Sequence, residues 1–127
     1  MLSLIAVILI VMGFYVVRKL RVAPDDNLSS AAVQDAMTKQ KNLQLIDVRT
    51  HAEFASGYLA GAKNIPIQEL SGHLSEIDKQ KPVIVYCRSG HRSGLALKIL
   101  HDHGIPQAKH LQGGILDWEE AGLPVTR

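Results

Sequence analysis

The sequence predicts an α/β domain in which a mainly parallel sheet is flanked by helices. Three short runs rich in apolar residues, 43–49, 83–85 and 108–111, indicate strands, and segments with apolar residues at three- and four-residue spacings lie between them. Strands that alternate with helices pair in parallel, and the helices cover both faces of the sheet. A long uncharged run at the N-terminus precedes this pattern. We therefore expect a three-layer domain with one apolar helix in front of it.

The uncharged run covers residues 1–17 and is followed by three basic residues, Arg18, Lys19 and Arg21. At about 1.5 Å per residue it would span roughly 25 Å, slightly less than a hydrocarbon core of about 30 Å. We expect a single transmembrane helix, and the basic residues on its C-terminal side predict that the following domain is cytoplasmic. A cleaved signal peptide is the less favoured alternative, because no basic residue precedes the run.

Composition limits what the rest of the chain can do. Three of the 14 Lys and Arg residues lie before residue 22, which leaves 11 against 12 Asp and Glu residues. This near balance offers no basic surface, so we expect no nucleic-acid partner. The single cysteine excludes an intramolecular disulfide and fits a reducing compartment. The chain can bury one modest core, which we assign to residues 28–127, after a basic flank and linker at 18–27.

Local patterns predict three further helices. A pair of serines can cap a helix over residues 31–37. Thr50 and Glu53 have the spacing of a capping box, in which each side chain accepts a backbone N–H of the other residue. Residues 67–77 carry apolar positions that predict one amphipathic helix.

The segment YCRSGHRSG, residues 86–94, joins the strand at 83–85 to a predicted helix. A helix N-terminus presents unpaired N–H groups and the positive end of the helix dipole, and both stabilise an anion. The thiolate of Cys87 is such an anion. We expect the helix end, with Arg88 and Arg92, to lower the pKa of an exposed Cys87 below about 8.5 and make it a nucleophile. A buried, inert cysteine is the alternative.

The spacing of the loop distinguishes two kinds of cysteine chemistry. Four residues separate Cys87 from Arg92. Cysteine-dependent phosphatases have five, because their loop surrounds a phosphoryl group with N–H donors and a guanidinium group. A loop that is one residue shorter makes a smaller bowl. The segment from Cys87 to Ser93 resembles the active-site loop of single-domain rhodaneses, which are sulfurtransferases.

Two other segments carry the same resemblance. Residues 47–66 contain DVR at 47–49, and residues 112–118 are QGGILDW. The resemblance extends over residues 28–125 and implies the rhodanese-like three-layer fold. By this resemblance, Asp47 and Arg49 support the active-site loop. An ordinary surface ion pair, worth about 0–1 kcal/mol, is the alternative interpretation of these two residues.

The resemblance also implies a mechanism. Cys87 attacks the outer sulfur of a small anionic donor such as thiosulfate, becomes a persulfide, and passes the sulfur to a nucleophilic acceptor, either a small molecule or a protein. No metal or organic cofactor is expected. The alternatives are a membrane-tethered persulfide carrier and a non-catalytic interaction module. The residues expected to bind the substrate or the persulfide are those that follow the cysteine: Arg88, Ser89, Gly90, His91, Arg92 and Ser93.

Four of the six histidines, His91, His101, His103 and His110, lie near this loop or the helix after it. His101 and His103 are two residues apart, whereas helical metal ligands are three or four apart. We interpret these side chains as solvated rather than as metal ligands, with His91 placed to contact substrate.

Overall fold

The computed structural model describes residues 3–20 and 24–127, with side chains for all of these except residues 16–20 and 24. Its strands form one five-stranded sheet in the order β1-β5-β4-β2-β3, and every neighbouring pair is parallel. The predicted parallel sheet is confirmed, and β4 lies at its centre. The strands are β1 (Asn27–Leu28), β2 (Gln44–Asp47), β3 (Lys63–Asn64), β4 (Val83–Tyr86) and β5 (Lys109–Leu111).

Helices follow or connect these strands in the described part of the chain. Short 3₁₀ turns also occur at Pro24–Asp26 and Leu74–Glu76. The helices are α1 (Leu4–Leu20), α2 (Ser30–Lys39), α3 (His51–Ala55), α4 (Ile67–Leu70), α5 (His91–Asp102) and α6 (Gly114–Glu120).

Strand β4 divides the core between the two faces of the sheet. Val83 and Val85 belong to a cluster with α4 and α5, whereas Ile84 and Tyr86 belong to a cluster with α2 and α6. Successive side chains of a strand point to opposite faces, which produces this division. All four residues are buried, as expected for a parallel strand covered on both sides. Cys87, the next residue, joins the cluster of α4 and α5.

The predicted helix caps are present. The Ser29 hydroxyl accepts the N–H of Ala32 at 3.2 Å and begins α2. In α3 the Thr50 hydroxyl accepts the N–H of Glu53, and the Glu53 carboxylate accepts the N–H of Thr50. Both caps involve residues three apart, so local sequence is sufficient to predict them.

The single helix predicted over residues 67–77 is wrong. Helix α4 ends at Leu70, and the N–H groups of Gly72 and His73 turn back to the carbonyls of Glu69 and Leu70. Glycine and serine have low helix propensity, which explains the break at this point. Leu70 and Ile77 are nevertheless buried, so the apolar pattern faces the core through two short turns.

The predicted transmembrane segment at residues 1–17 is also wrong. Helix α1 has 17 residues, which span roughly 25 Å against a hydrocarbon core of about 30 Å. Within residues 3–20 and 24–127, no helix combines the length and the apolar character that crossing a membrane requires. The predicted single-pass membrane localisation is therefore wrong. The cytoplasmic orientation was predicted from the same segment and has no other support. Arg21 of the predicted basic flank lies outside the described residues, as do residues 1–2, 22 and 23.

Helix α1 contributes little to the folded domain, because none of the side chains described in it, residues 4–15, is buried. Removing residues 1–23 should therefore change the free energy of unfolding by less than about 0.5 kcal/mol in urea denaturation. The control is Val33→Ala in the full-length chain. Val33 is 0% exposed, so this variant should lose about 2 kcal/mol. A loss on truncation as large as the control's would contradict the assignment of the core to the residues after 23.

Candidate active site

Cys87 lies in the turn between β4 and α5, at the carboxyl end of the central strand. Only 1% of the residue is exposed. The prediction of an exposed cysteine is therefore wrong, although the position of the loop between a strand and a helix is as expected. The chain from residue 87 to residue 93 curves around the sulfur, so that N–H groups of Gly90 and Ser93 reach it.

Donors from the start of α5 point at the Cys87 sulfur. The N–H groups of Gly90 and Ser93 donate to Sγ at 3.1 and 3.3 Å, and the Ser93 hydroxyl oxygen lies 3.6 Å from it. Gly90 is the N-cap of α5 and Ser93 lies in its first turn, where no preceding helical carbonyl is available to accept these N–H groups. The sulfur therefore occupies the anion site of a helix N-terminus.

Two opposing effects set the pKa of Cys87. Burial raises the pKa of the thiol, because a charged sulfur is costly away from water. Hydrogen bonds from the Ser93 hydroxyl and from the N–H groups of Ser93, Gly90 and Ser89 outweigh burial, so the pKa lies below its ordinary value. The direction agrees with the sequence prediction, but the main cause is neutral donors rather than the two arginines of the loop.

Arg92 is paired with a carboxylate from another element. Its Nη1 and Nη2 donate to Glu53 Oε1 and Oε2 at 2.7 and 3.0 Å, a two-pronged contact between α5 and α3. The Arg92 hydrogen bond, together with the Thr50 N–H, lowers the pKa of the Glu53 carboxyl to about 2. The positive charge of Arg92 is therefore largely balanced within the protein. The pairing joins residues 39 apart, and local patterns identify Glu53 only as a helix cap.

The other loop residues predicted to bind substrate differ in exposure. Arg88, Ser89 and His91 are exposed, and Gly90 is half-buried and donates its N–H to the sulfur. Arg88 is thus the basic side chain of the loop that faces solvent. Binding of a substrate by these three exposed side chains stays a prediction.

Asp47 and Arg49 form a buried pair beside the strand that carries the cysteine. Arg49 Nη2 donates to Asp47 Oδ2 and to the carbonyl of Gly57, both at 2.6 Å. The two residues are 0% and 5% exposed, so the surface ion pair considered as an alternative is wrong. The guanidinium group also lies 5.8 Å from the ring centre of Tyr86, whose hydroxyl accepts the N–H of Leu59 at 3.1 Å. This network fixes the end of β4 immediately before Cys87.

The turn into α6 supports the other side of the loop. The N–H groups of Ile115 and Leu116 donate to the carbonyls of Cys87 and Arg88 at 2.9 and 3.1 Å. Two helix N-termini therefore meet here: α5 serves the sulfur, and α6 serves the backbone of the residue that carries it. The glycine pair of QGGILDW, residues 112–118, permits this contact.

Glycine is required where the two segments touch. A Cβ added to Gly90 would lie 1.9 Å from the carbonyl oxygen of Gln112, and one added to Gly114 would lie 2.2 Å from that of Arg88. Both glycines also have positive φ, at +103° and +66°. Side chains at either position would clash with backbone that has no room to move.

His110 departs from the prediction of solvated histidines. It is 6% exposed, and its ring nitrogens contact Ser93 and Asn27. His91 and His103 are exposed, as expected, and His101 is half-buried with its Nε2 near the carbonyl oxygen of Ala108. The alternation of a strand places His110 on the same face as the buried Ala108, which is the sequence signal that identifies it.

Among the residues that the structure describes, no three or more His, Cys, Asp or Glu side chains come together in a group that could hold a metal ion.

Comparison with known proteins identifies the family. The profile of the Rhodanese-like domain family matches residues 30–121. The chain belongs to this family. The crystal structure of a rhodanese-related protein from Thermoplasma volcanium has the same fold, with a TM-score of 0.72 and 31% identity, over 79% of this chain and 96% of that one. The resemblance found in the sequence is confirmed at the level of family and α/β fold.

Curated relatives in the rhodanese-like family include proteins named as sulfurtransferases. A sulfurtransferase of Allochromatium vinosum is 34% identical over 101 residues, which cover 80% of this chain and 94% of the relative. The thiosulfate sulfurtransferase GlpE of Shewanella oneidensis is 32% identical over 85 residues, 67% of this chain and 84% of the relative. Other relatives are longer, and this chain spans about half of their length.

The position of the loop from Cys87 to Ser93 should depend on Gly90. Gly90→Ala should destabilise the fold by more than about 2 kcal/mol in urea denaturation and slow the alkylation of Cys87, because the new Cβ pushes the loop from Gln112 and moves the N–H donors.

The matched control is Gly61→Ala. Gly61 also has positive φ, at +80°, but a Cβ there meets nothing within 4 Å. Backbone strain in this variant should lower the free energy of unfolding by only about 1–2 kcal/mol, and the reactivity of Cys87 should not change. Equal effects of the two substitutions on Cys87 would show that the backbone contact does not shape the loop.

Proposed function

We propose that the protein is a rhodanese-type sulfurtransferase that moves a sulfane sulfur from a donor such as thiosulfate to a nucleophilic acceptor through a persulfide on Cys87. One observation carries this proposal: Cys87 Sγ accepts the N–H groups of Gly90 and Ser93 at 3.1 and 3.3 Å, at the start of α5. A sulfur held in this way is stabilised as an anion, which is the nucleophilic form. Relatives named as sulfurtransferases support the same function.

The reaction proceeds by two displacements. The Cys87 thiolate attacks the outer sulfur of thiosulfate, a new sulfur–sulfur bond forms, and sulfite leaves with the electron pair of the bond that breaks. An acceptor nucleophile, such as cyanide, then attacks the terminal sulfur of the persulfide. Its bond to Cys87 breaks, thiocyanate leaves, and the thiolate is restored. Each step transfers one sulfur atom and needs no further oxidant or reductant.

Preorganised donors support both steps. The same N–H groups can stabilise the thiolate before the attack and again when it returns as leaving group after the second displacement. These donors are fixed by the fold, so little reorganisation is needed when charge moves within the site. Ser93 lies in the first turn of α5, and its hydroxyl adds a third donor.

The charges of the loop favour a small anionic donor. Arg88, the residue after Cys87, is exposed, whereas the charge of Arg92 is balanced by Glu53. Arg88 therefore provides the positive charge that attracts the donor, and Arg92 holds α5 against α3. Attraction by an exposed arginine decreases as salt concentration rises.

The covalent step gives a direct test. Incubated with thiosulfate and no acceptor, the protein should gain the mass of one sulfur atom, and cyanide should remove it, because the terminal sulfur of a persulfide is open to attack. Intact-protein mass spectrometry measures both changes. Cys87 is the single cysteine, so Cys87→Ser should show neither change.

The outcome also separates the alternatives. Steady-state thiocyanate formation that needs Cys87 indicates an enzyme that uses free thiosulfate. A persulfide that forms but passes its sulfur efficiently only to a protein thiol indicates a persulfide carrier. No mass gain, with turnover unaffected in Cys87→Ser, would contradict the proposed nucleophile.

A further inference from the structure

A chain of polar side chains runs from the Cys87 sulfur through the buried residues Ser93 and His110 to Asn27. Ser93 Oγ lies 3.6 Å from Cys87 Sγ and 2.9 Å from His110 Nδ1, and His110 Nε2 lies 2.6 Å from Asn27 Oδ1. Ser93 is 0% exposed and His110 is 6% exposed. The members come from α5, β5 and β1, so the fold assembles the chain from distant parts of the sequence.

The direction of each hydrogen bond in this chain follows from Asn27, at the end away from Cys87. Asn27 Oδ1 can only accept a hydrogen bond, so the hydrogen of the neutral His110 ring is on Nε2. Nδ1 then carries a lone pair, and the Ser93 hydroxyl donates to it. The Ser93 oxygen is left facing the sulfur as an acceptor, which suits a protonated Cys87 thiol.

When Cys87 ionises, the hydrogen bonds of the chain reverse their directions, but none of them is lost. With a proton on His110 Nδ1, the ring donates to the Ser93 oxygen, and the Ser93 hydroxyl turns its hydrogen to the thiolate. Both arrangements contain the same number of protons and satisfy every member. The backbone carbonyl of Gly90, 3.2 Å from Ser93 Oγ, is a more distant competing acceptor for the hydroxyl.

We propose that Asn27, His110 and Ser93 form a proton relay that receives the Cys87 thiol proton when the thiolate forms. The S–H bond breaks with its electron pair left on sulfur, Ser93 takes this proton and passes its own to His110 Nδ1, and the net charge of the site is unchanged. The relay deepens the proposed function, because it acts on the same nucleophile. His110 acts through Ser93 and is a positioning residue.

The surroundings of His110 act on this transfer in two directions. Burial lowers the pKa of the imidazole and opposes its protonation, whereas the charge of Asp26, in the 3₁₀ turn before β1, raises that pKa and favours protonation. Cys87, at the opposite end of this chain of hydrogen bonds, is the other ionisable group. Helix α5 closes the space above the ring, since a Cβ at Gly94 would lie 3.9 Å from its Cε1. Burial limits exchange with water and leaves Ser93 as the route for the proton.

His110→Asn tests the relay in the full-length protein. The asparagine can still hydrogen-bond to the Ser93 hydroxyl but cannot take up a proton, so the thiolate loses the balancing positive charge of the imidazolium behind Ser93. The pKa of Cys87, measured from the pH dependence of its alkylation by iodoacetamide, should rise by about one unit, and alkylation at neutral pH should slow about tenfold. His101→Asn is the matched control, because it removes a half-buried histidine of α5 that does not contact Ser93. Its Cys87 pKa should not change.

Asn27→Asp provides a test of opposite sign that does not depend on the folding of His110→Asn. A carboxylate beside Nε2 favours the imidazolium, so the Cys87 pKa should fall. A packing role for His110 predicts no such reversal. The relay is overturned if Asn27→Asp leaves the Cys87 pKa unchanged or raises it, or if His110→Asn and His101→Asn have equal effects on it. Alkylation requires no sulfur donor, so these results stand apart from any failure to form a persulfide.

Discussion

The position of the Cys87 sulfur depends on a close approach of two backbone segments. The loop after β4 and the turn before α6 touch where only glycine fits, at Gly90 and Gly114. Backbone hydrogen bonds from Ile115 and Leu116 hold the loop in this place. The N–H groups of the first turn of α5 converge on the sulfur as a result. The arrangement of donors around the sulfur therefore requires glycine at both positions.

Neutral donors, rather than full charges, contact the Cys87 sulfur in this site. A permanent positive charge in contact with the sulfur would need its own solvation and would hold an anionic product as firmly as an anionic donor. Backbone N–H groups and the Ser93 hydroxyl stabilise a charge on sulfur without this cost. Glu53 restrains and balances Arg92, and Arg88 remains at the surface. In the proposed function, attraction of the donor and stabilisation of the nucleophile are thus assigned to different groups.

Local sequence was sufficient for the parts of the site that local chemistry determines. The strand-loop-helix order around Cys87, the capping box of Thr50 and Glu53, and the sharp turn at the paired glycines all follow from short patterns. Contacts between distant residues were not predictable in this way. The Arg92–Glu53 pair and the Ser93–His110–Asn27 chain depend on which strands become neighbours. The uncharged run at residues 1–17 has the composition of a membrane span, but helix α1 lacks the length to cross a membrane.

The central claim is that backbone N–H groups of the loop stabilise an anionic sulfur at Cys87. The most direct measurement is a pH titration of the amide chemical shifts of Gly90 and Ser93 by NMR. Both amides should respond at a common midpoint below the ordinary pKa of a thiol, about 8.5, and the response should disappear in Cys87→Ser. Amides that do not respond to the ionisation of Cys87, or a midpoint above the ordinary value, would contradict this account.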